Sequence, residues 1–280
     1  MASQLPLGLV IALLAALIAF HSSLQHEVLH GHPFKAAWLS DLTVFPALGL
    51  FVPYLRFKDT HLAHHYDPNL TDPYDDPECN YLDAVKWDTL PRPARLLLWM
   101  NNTLLGRMLI GPAISLISFY GCDLRRMAKG DKRVIRSYAE HGVSVALVLA
   151  WVTTLSTLPL WAYALSAYLA MSLLKIRTFL EHQAHERAAA RSVIIEDRGP
   201  LAFLFLNNNY HAVHHAHPQV VWHKLPQLFR DRRAQFLQRN GGYRYASYAD
   251  VFAKHLFRTK EPVAHPLWTI SNRSQPPKGQ

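Results

Sequence analysis

The sequence predicts an all-α integral membrane protein with about three transmembrane helices, interfacial helices and a cytoplasmic histidine-rich helical cap. Three observations lead there. Half of the 280 residues are apolar while 18% are charged, a mixture suited to a few membrane segments beside a large polar part. The apolar residues gather in runs, some long enough to span a bilayer. The 17 histidines are clustered, in a pair at His26 and His30 and in two HxxHH boxes, His61/His64/His65 and His211/His214/His215.

Leu5 to Leu24 is the first run, about 20 residues and thus of spanning length. Its flank has no Lys or Arg and no small-residue cleavage site, so it reads as an anchor, not a removable signal. The longest run, Gly142 to Ile176, is uncharged until Lys175 and is divided by Leu158-Pro159-Leu160, which predicts a tight helical hairpin. Two more runs are broken, residues 38–55 by Asp41, Pro46 and Pro53, and residues 96–120 by Arg107 and Gly111-Pro112. If the histidine clusters share one centre, they must lie on one side of the membrane. Single crossings at 38–55 or 96–120 would separate them, so both runs are expected to be interfacial or re-entrant. Arg56, Lys58, Arg92, Arg95, the basic stretch Arg125 to Arg136, and Arg177 all fall on the cluster side, whereas the N-terminus and the Pro159 turn carry no Lys or Arg. By the positive-inside rule that side is the cytoplasm of a bacterial-type inner membrane, with the N-terminus outside.

Residues 1–270 are expected to form a single membrane-bound domain, and residues 271–280, polar and proline-rich, a disordered tail. Leu225, Leu228, Phe229, Phe236 and Leu237 would share one helical face, lying either on the membrane or against the rest of the chain. A net charge of +9 raises nucleic acid as a partner, but the basic residues flank apolar runs and are not interleaved with exposed aromatics, so the membrane surface accounts for them. Cys79 and Cys122 are too few for a disulfide framework and read as thiols in a reducing compartment.

Helix positions i, i+3 and i+4 share a face, so each HxxHH box is expected to aim three imidazoles at one point. Imidazole suits iron, copper, nickel and zinc. Eight or nine nitrogen donors exceed the needs of one ion, whereas two ions sharing them, four or five each, is the natural count. A competing motif is His26-Glu27-Val28-Leu29-His30, which fits the HExxH signature of an intramembrane zinc protease. That reading leaves both HxxHH boxes without a role.

The segments QHEVLHGH from Gln25, HLAHHYDPNLTDPYDDPE from His61 and NNNYHAVHHAHP from Asn207 resemble, in order and spacing, the histidine boxes of the membrane fatty acid desaturase superfamily. RTFLEHQAHE, Arg177 to Glu186, resembles the segment that supplies an isolated histidine ligand there. The resemblance covers roughly His26 to Pro226. It implies two iron ions held by His26, His30, His61, His64, His65, His182, His211, His214 and His215, with O2 as co-substrate. His185 competes with His182 for the isolated position, and Thr178 stands where some relatives have an asparagine. Asp72, Asp75, Asp76, Glu181 and Glu186 are candidates to orient imidazoles, a solvated loop face being the alternative for each. His32 is a further polar group near the site or at the surface, and His21, His141, His217, His223, His255 and His265 are expected to be structural.

The resemblance implies an oxygen-dependent desaturase of an acyl chain or other lipid. The alternatives are a hydroxylase or ketolase on the same scaffold, and a carotenoid or a small amino-acid-like metabolite as substrate. The chain has no GxGxxG fingerprint, no cysteine cluster and no fused haem segment. Electrons are therefore expected from a separate protein, such as a ferredoxin with its reductase, docking on the basic Arg125 to Arg136 stretch.

Overall fold

The computed structural model describes residues 5–268. It is mostly helical, with only two two-residue strands among the described residues. The chain divides into two compact units, one of residues 1–59, 108–175 and 204–206, the other of residues 60–107, 176–203 and 207–280.

In the first unit α1 (Leu7–Leu29) and α8 (Lys132–Leu155) are long and apolar enough to cross a membrane, and they alone among the described residues. At about 1.5 Å per residue each reaches past the roughly 30 Å of a hydrocarbon core. α8 starts ten residues before the uncharged run, capped by Asp131, whose carboxylate accepts from the amides of Arg133 and Val134. It ends at Leu155, and α9 (Leu160–Thr178) returns after Pro159 as the hairpin expected from sequence. Ala19, Ala167 and Ala170 are fully buried where α1, α8 and α9 meet, beside Ile18, Val148, Val152 and Tyr163. Small side chains there let the helix backbones approach closely. Val143, Leu147, Trp151 and Leu155 recur every fourth residue and stand exposed along α8, an unpartnered apolar stripe.

The broken run 38–55 holds only α2 (Ala37–Val44), eight residues and about 12 Å long, before Pro46 stops it. The irregular segment that follows does not leave its carbonyls bare. Ser144 Oγ donates to Phe45 O and accepts from Ala47 N, Tyr163 donates to Leu48 O, His141 bonds Leu50 O at 2.8 Å, and Tyr120 donates to Phe51 O. Non-helical backbone survives beside apolar helices only when protein groups satisfy it in this way. Next comes α3 (Tyr54–Tyr66), which carries the first HxxHH box in its second half. The other broken run is three helices, with α5 (Arg92–Asn101) following the short α4 (Ala84–Thr89), then α6 (Leu104–Leu109) and α7 (Gly111–Ala128), the last opening on Pro112. α7 also contributes Asp123, whose carboxylate takes Arg56 in a two-pronged pair at 2.8 and 3.0 Å and Tyr138 at 3.0 Å, all in the first unit.

In the second unit β1 (Ile194–Ile195) pairs in parallel with β2 (Arg244–Tyr245), Ile194 opposite Arg244. Ile194 joins Tyr210, Val213, Leu225, Phe229 and Phe236 in one core. α10 (Pro200–Leu204) and α11 (His211–Ala216) bracket the turn into the second HxxHH box, where Leu206 and Asn207 both take positive φ, 48° and 54°. The face expected at residues 225–237 is split into α12 (Leu225–Asp231) and α13 (Arg233–Arg239) by a non-helical Arg232. Leu225, Phe229 and Phe236 are buried in that core, so the packed reading holds and not the membrane-surface one. α14 (Tyr248–His255) closes the described helices, and the tail expected at 271–280 lies outside the described residues.

Removing one partner of a buried ion pair leaves the other charge uncompensated. Asp123→Asn is expected to lower stability by about 3 kcal/mol, seen as a lower Tm of the detergent-solubilised protein. The double variant Arg56→Met with Asp123→Leu should recover most of that loss.

Candidate metal centre

Seven of the nine histidines expected from sequence belong to the second unit and are gathered there. They form two sets. In one, His64, His182, His211 and His215 bring ligand nitrogens within 4.8 Å of one another. In the other, His61, His65 and His214 do the same. His26 and His30 belong to the first unit, at the end of α1, with ring centroids 5.1 Å apart.

Each box is thus divided, where the sequence suggested three imidazoles aimed at one point. His61 and His65 stand 4.6 Å apart by ring centroid, while His64 is 5.9 Å from both. In the other box His211 and His215 are 4.4 Å apart, and His214 is 6.0 Å from both. The cause is helical geometry. At roughly 100° per residue, i and i+4 differ by about 40° while i+3 and i+4 differ by about 100°, so the middle histidine turns away from the outer pair. The boxes then exchange partners. His64 leaves its box to meet His182 and His215, and His214 leaves its own to meet His65, Nε2 to Nε2 at 3.2 Å. His65 and His215 stack at 4.1 Å and 14° where the two sets adjoin.

The outward nitrogen of several rings is fixed. His64 Nδ1 lies 2.7 Å from Asp76 Oδ1 and His61 Nδ1 2.8 Å from Glu78 Oε1. His211 Nδ1 lies 3.2 Å from Asn208 Oδ1, and His182 Nδ1 3.2 Å from Ser192 Oγ. A carboxylate only accepts, so Nδ1 of His61 and His64 carries the hydrogen and Nε2 keeps its lone pair in the neutral ring. The same follows for His211, since Asn208 gives its Nδ2–H to Glu181 and turns its oxygen to the ring. This is the usual way a metal-ligating imidazole is oriented.

The inward nitrogens converge. His182 Nε2 is 2.9 Å from His64 Nε2 and 3.0 Å from His211 Nε2, and His65 Nε2 is 3.0 Å from His61 Nε2. Where two such nitrogens both keep their lone pairs they repel, and a cation between them removes the repulsion. Ligands roughly 2.1 Å from one ion and at right angles lie about 3 Å apart. His215 Nε2 is buried with no hydrogen-bond partner among the described residues, as a ligand atom would be. The donor set therefore fits metal ions, one for each set.

Electrostatics agree with that fit. Burial, then the charge of neighbouring imidazoles, holds His182, His211 and His215 well below the ordinary value of 6.5, so they stay neutral and able to ligate. Burial opposes charge on His64 too, but Glu78 and Asp76 outweigh it and push this ring up to about 9. A metal ion entering there displaces that proton.

Among the carboxylates singled out from sequence, Asp76 meets the His64 ring directly, and it also accepts from the amides of Thr71 and Glu78. Glu181 lies 3.8 Å from His211 Nδ1 and pairs with Arg177 at 3.0 Å. Asp72 instead accepts from the amides of Tyr74 and Asp75 and from Trp268 Nε1. His185 and Glu186 line a separate polar cavity of about 300 Å³ with Arg191 and His265, and His185 Nδ1 accepts from Arg187 N. Glu78, Ser192 and Asn208 went unnoticed from sequence. Glu78 could have been found, two residues beyond Asp76 in the same acidic loop, but Ser192 gives no local signal. His182→Ala is expected to abolish metal uptake by one set, while His185→Ala leaves uptake unchanged, measured as iron per chain after reconstitution.

No curated protein matches this chain. Residues 3–247 match the fatty acid desaturase family, a span that contains both HxxHH boxes, the His26 and His30 pair, and His182. Matched over most of its length, the chain belongs to the fatty acid desaturase family.

Proposed function

We propose that the chain is a membrane-bound, O2-dependent di-iron desaturase acting on an acyl chain. The observation that carries this reading is the convergence of Nε2 atoms in two adjacent sets, with Nδ1 of His61, His64, His182 and His211 held by polar partners. One iron would be held by His64, His182, His211 and His215. The other would be held by His61, His65 and His214 together with His26 and His30, which the resemblance in sequence assigns. Irons bound there would supply activation of O2 and removal of hydrogen from unactivated carbon. In the balanced reaction a CH2–CH2 unit loses two hydrogens, and with two electrons from a donor protein and two protons from water they reduce O2 to two waters. The side chains orient the imidazoles, Asp76, Glu78, Asn208 and Ser192 holding the Nδ1 edges, and burial keeps His182, His211 and His215 neutral.

Two further elements belong to this reading. The exposed cations Arg125, Arg126, Lys129, Lys132, Arg133 and Arg136 around the α7–α8 turn suit docking of an acidic electron carrier such as a ferredoxin. On this reading the crossings are α1 and α8, which have the length and hydropathy of a span by themselves, and α9, which returns from the Pro159 turn, with the histidines on the cytoplasmic side of a bacterial-type inner membrane. α9 contributes 19 residues and ends in the charged positions Lys175 and Arg177.

Lipid profiling of a host with and without the chain tests the reaction. A new double bond in an acyl chain is expected, and it should vanish with His64→Ala or His214→Ala while the protein still inserts. A new hydroxyl would instead place the chain among the hydroxylases. Reporter tags test the topology: tags near Asp76, near Lys129 and at the C-terminus should report cytoplasm, and an N-terminal tag the outside. An external Asp76 with an internal Lys129 would end the single-centre reading.

A further inference from the structure

The strand-like stretch Leu180 to Ala184, which carries His182, is gripped along both edges. On one side it pairs with residues 191–193, Gln183 N donating to Arg191 O and Val193 N to Glu181 O. On the other side no strand follows among the described residues, and side chains take the groups that a strand would. Tyr243 donates to Leu180 O, Lys260 Nζ donates to His182 O, and Tyr81 Oη accepts from Ala184 N. These three side chains form one chain of contacts. Tyr81 donates to Glu261, Glu261 pairs with Lys260 at 3.3 Å, and Lys260 Nζ lies 5.7 Å from the Tyr243 ring.

The Lys260 side chain is 9% exposed, an unusual depth for an ammonium, and its segment is sewn in place. Lys260 N donates to Asn102 O, Asn102 Nδ2 to Glu261 O, Leu82 N to Val263 O, and His265 N to Leu82 O. Lys260 also lies beyond residues 3–247, so the family match assigns it no role. We propose that Lys260 is a positioning residue for His182, and that the segment from Leu256 to Trp268 is a strap setting the place of that imidazole in its metal site. This rests on the reading of His182 as a ligand. His182 is the one member of its set on neither box, so no helix turn fixes its position. A donor on its own carbonyl does so instead.

The test uses the full chain, purified in detergent, stripped of metal and titrated with Co(II) while its visible absorption is followed. Wild type is expected to take two ions. In Lys260→Met one ion should bind as in wild type, and the other with a Kd raised about 10- to 100-fold, the usual effect of losing a group behind a metal ligand. Lys260→Arg, which keeps a charged donor, should recover most of that affinity. Lys254→Met, which removes an exposed cation paired with Asp250, should change nothing. In the metal-free protein, amide hydrogen exchange over residues 179–186 should rise in Lys260→Met alone. A merely structural role would lower Tm and leave both affinities equal to wild type, and that result overturns the proposal. If wild type takes up no Co(II), the ligand reading itself fails and the proposal with it. Should Lys260→Met not fold, Tyr81→Phe decides. It releases Ala184 N and Glu261, and an unchanged second Kd overturns the strap.

Discussion

Neutral imidazoles do not share a few ångströms of buried space by themselves. Each must give its N–H outward and its lone pair inward, and this demand organises the second unit. Asp76 and Glu78 come from one acidic loop, Asn208 from the turn before α11, and Ser192 from the residue before Val193 and β1. Those acceptors are themselves tied down: Asp76 by the amides of Thr71 and Glu78, Asn208 by Glu181, and Glu181 by Arg177. Without such anchoring the rings would turn to hydrogen-bond one another, and the lone pairs would be lost to the site.

Much of this was legible in the sequence because it is local. The proline at position 46 and the Gly111-Pro112 pair mark where apolar runs stop being helices, since they act on their own backbone. The divided hairpin at Pro159 was equally plain. The HxxHH spacing also revealed a cluster, but the step from shared face to shared point ignored the angular difference between i+3 and i+4, and so missed the division of each box. Arg232 gave no warning that the 225–237 helix would break there. Contacts between distant residues were least visible. Ser192 and Lys260 reach the segment of His182 across 10 and 78 positions, and nothing in their neighbourhoods marks them.

The asparagine run before the second box shows the same division. Its three members do different things. Asn207 takes the left-handed backbone and donates to Trp222 O, Asn208 faces His211, and Asn209 donates to Ile195 O and Asp197 O. Sequence suggests a turn there, since asparagine tolerates positive φ better than most residues. It does not say which of the three makes the turn and which serves the site.

α11 spans only His211 to Ala216, hardly longer than the box it carries. A helix of that length does not persist in water, where nucleation costs more than so few hydrogen bonds return. It exists because Ala212 N donates to Val193 O and because Tyr210 and Val213 sit in the core with Leu225, Phe229 and Phe236. During synthesis, then, the second box has no ligand geometry when it first leaves the ribosome. It acquires one only after about twenty more residues have emerged and closed that core. The geometry of the second box therefore depends on a core built mostly from residues that follow it in the chain.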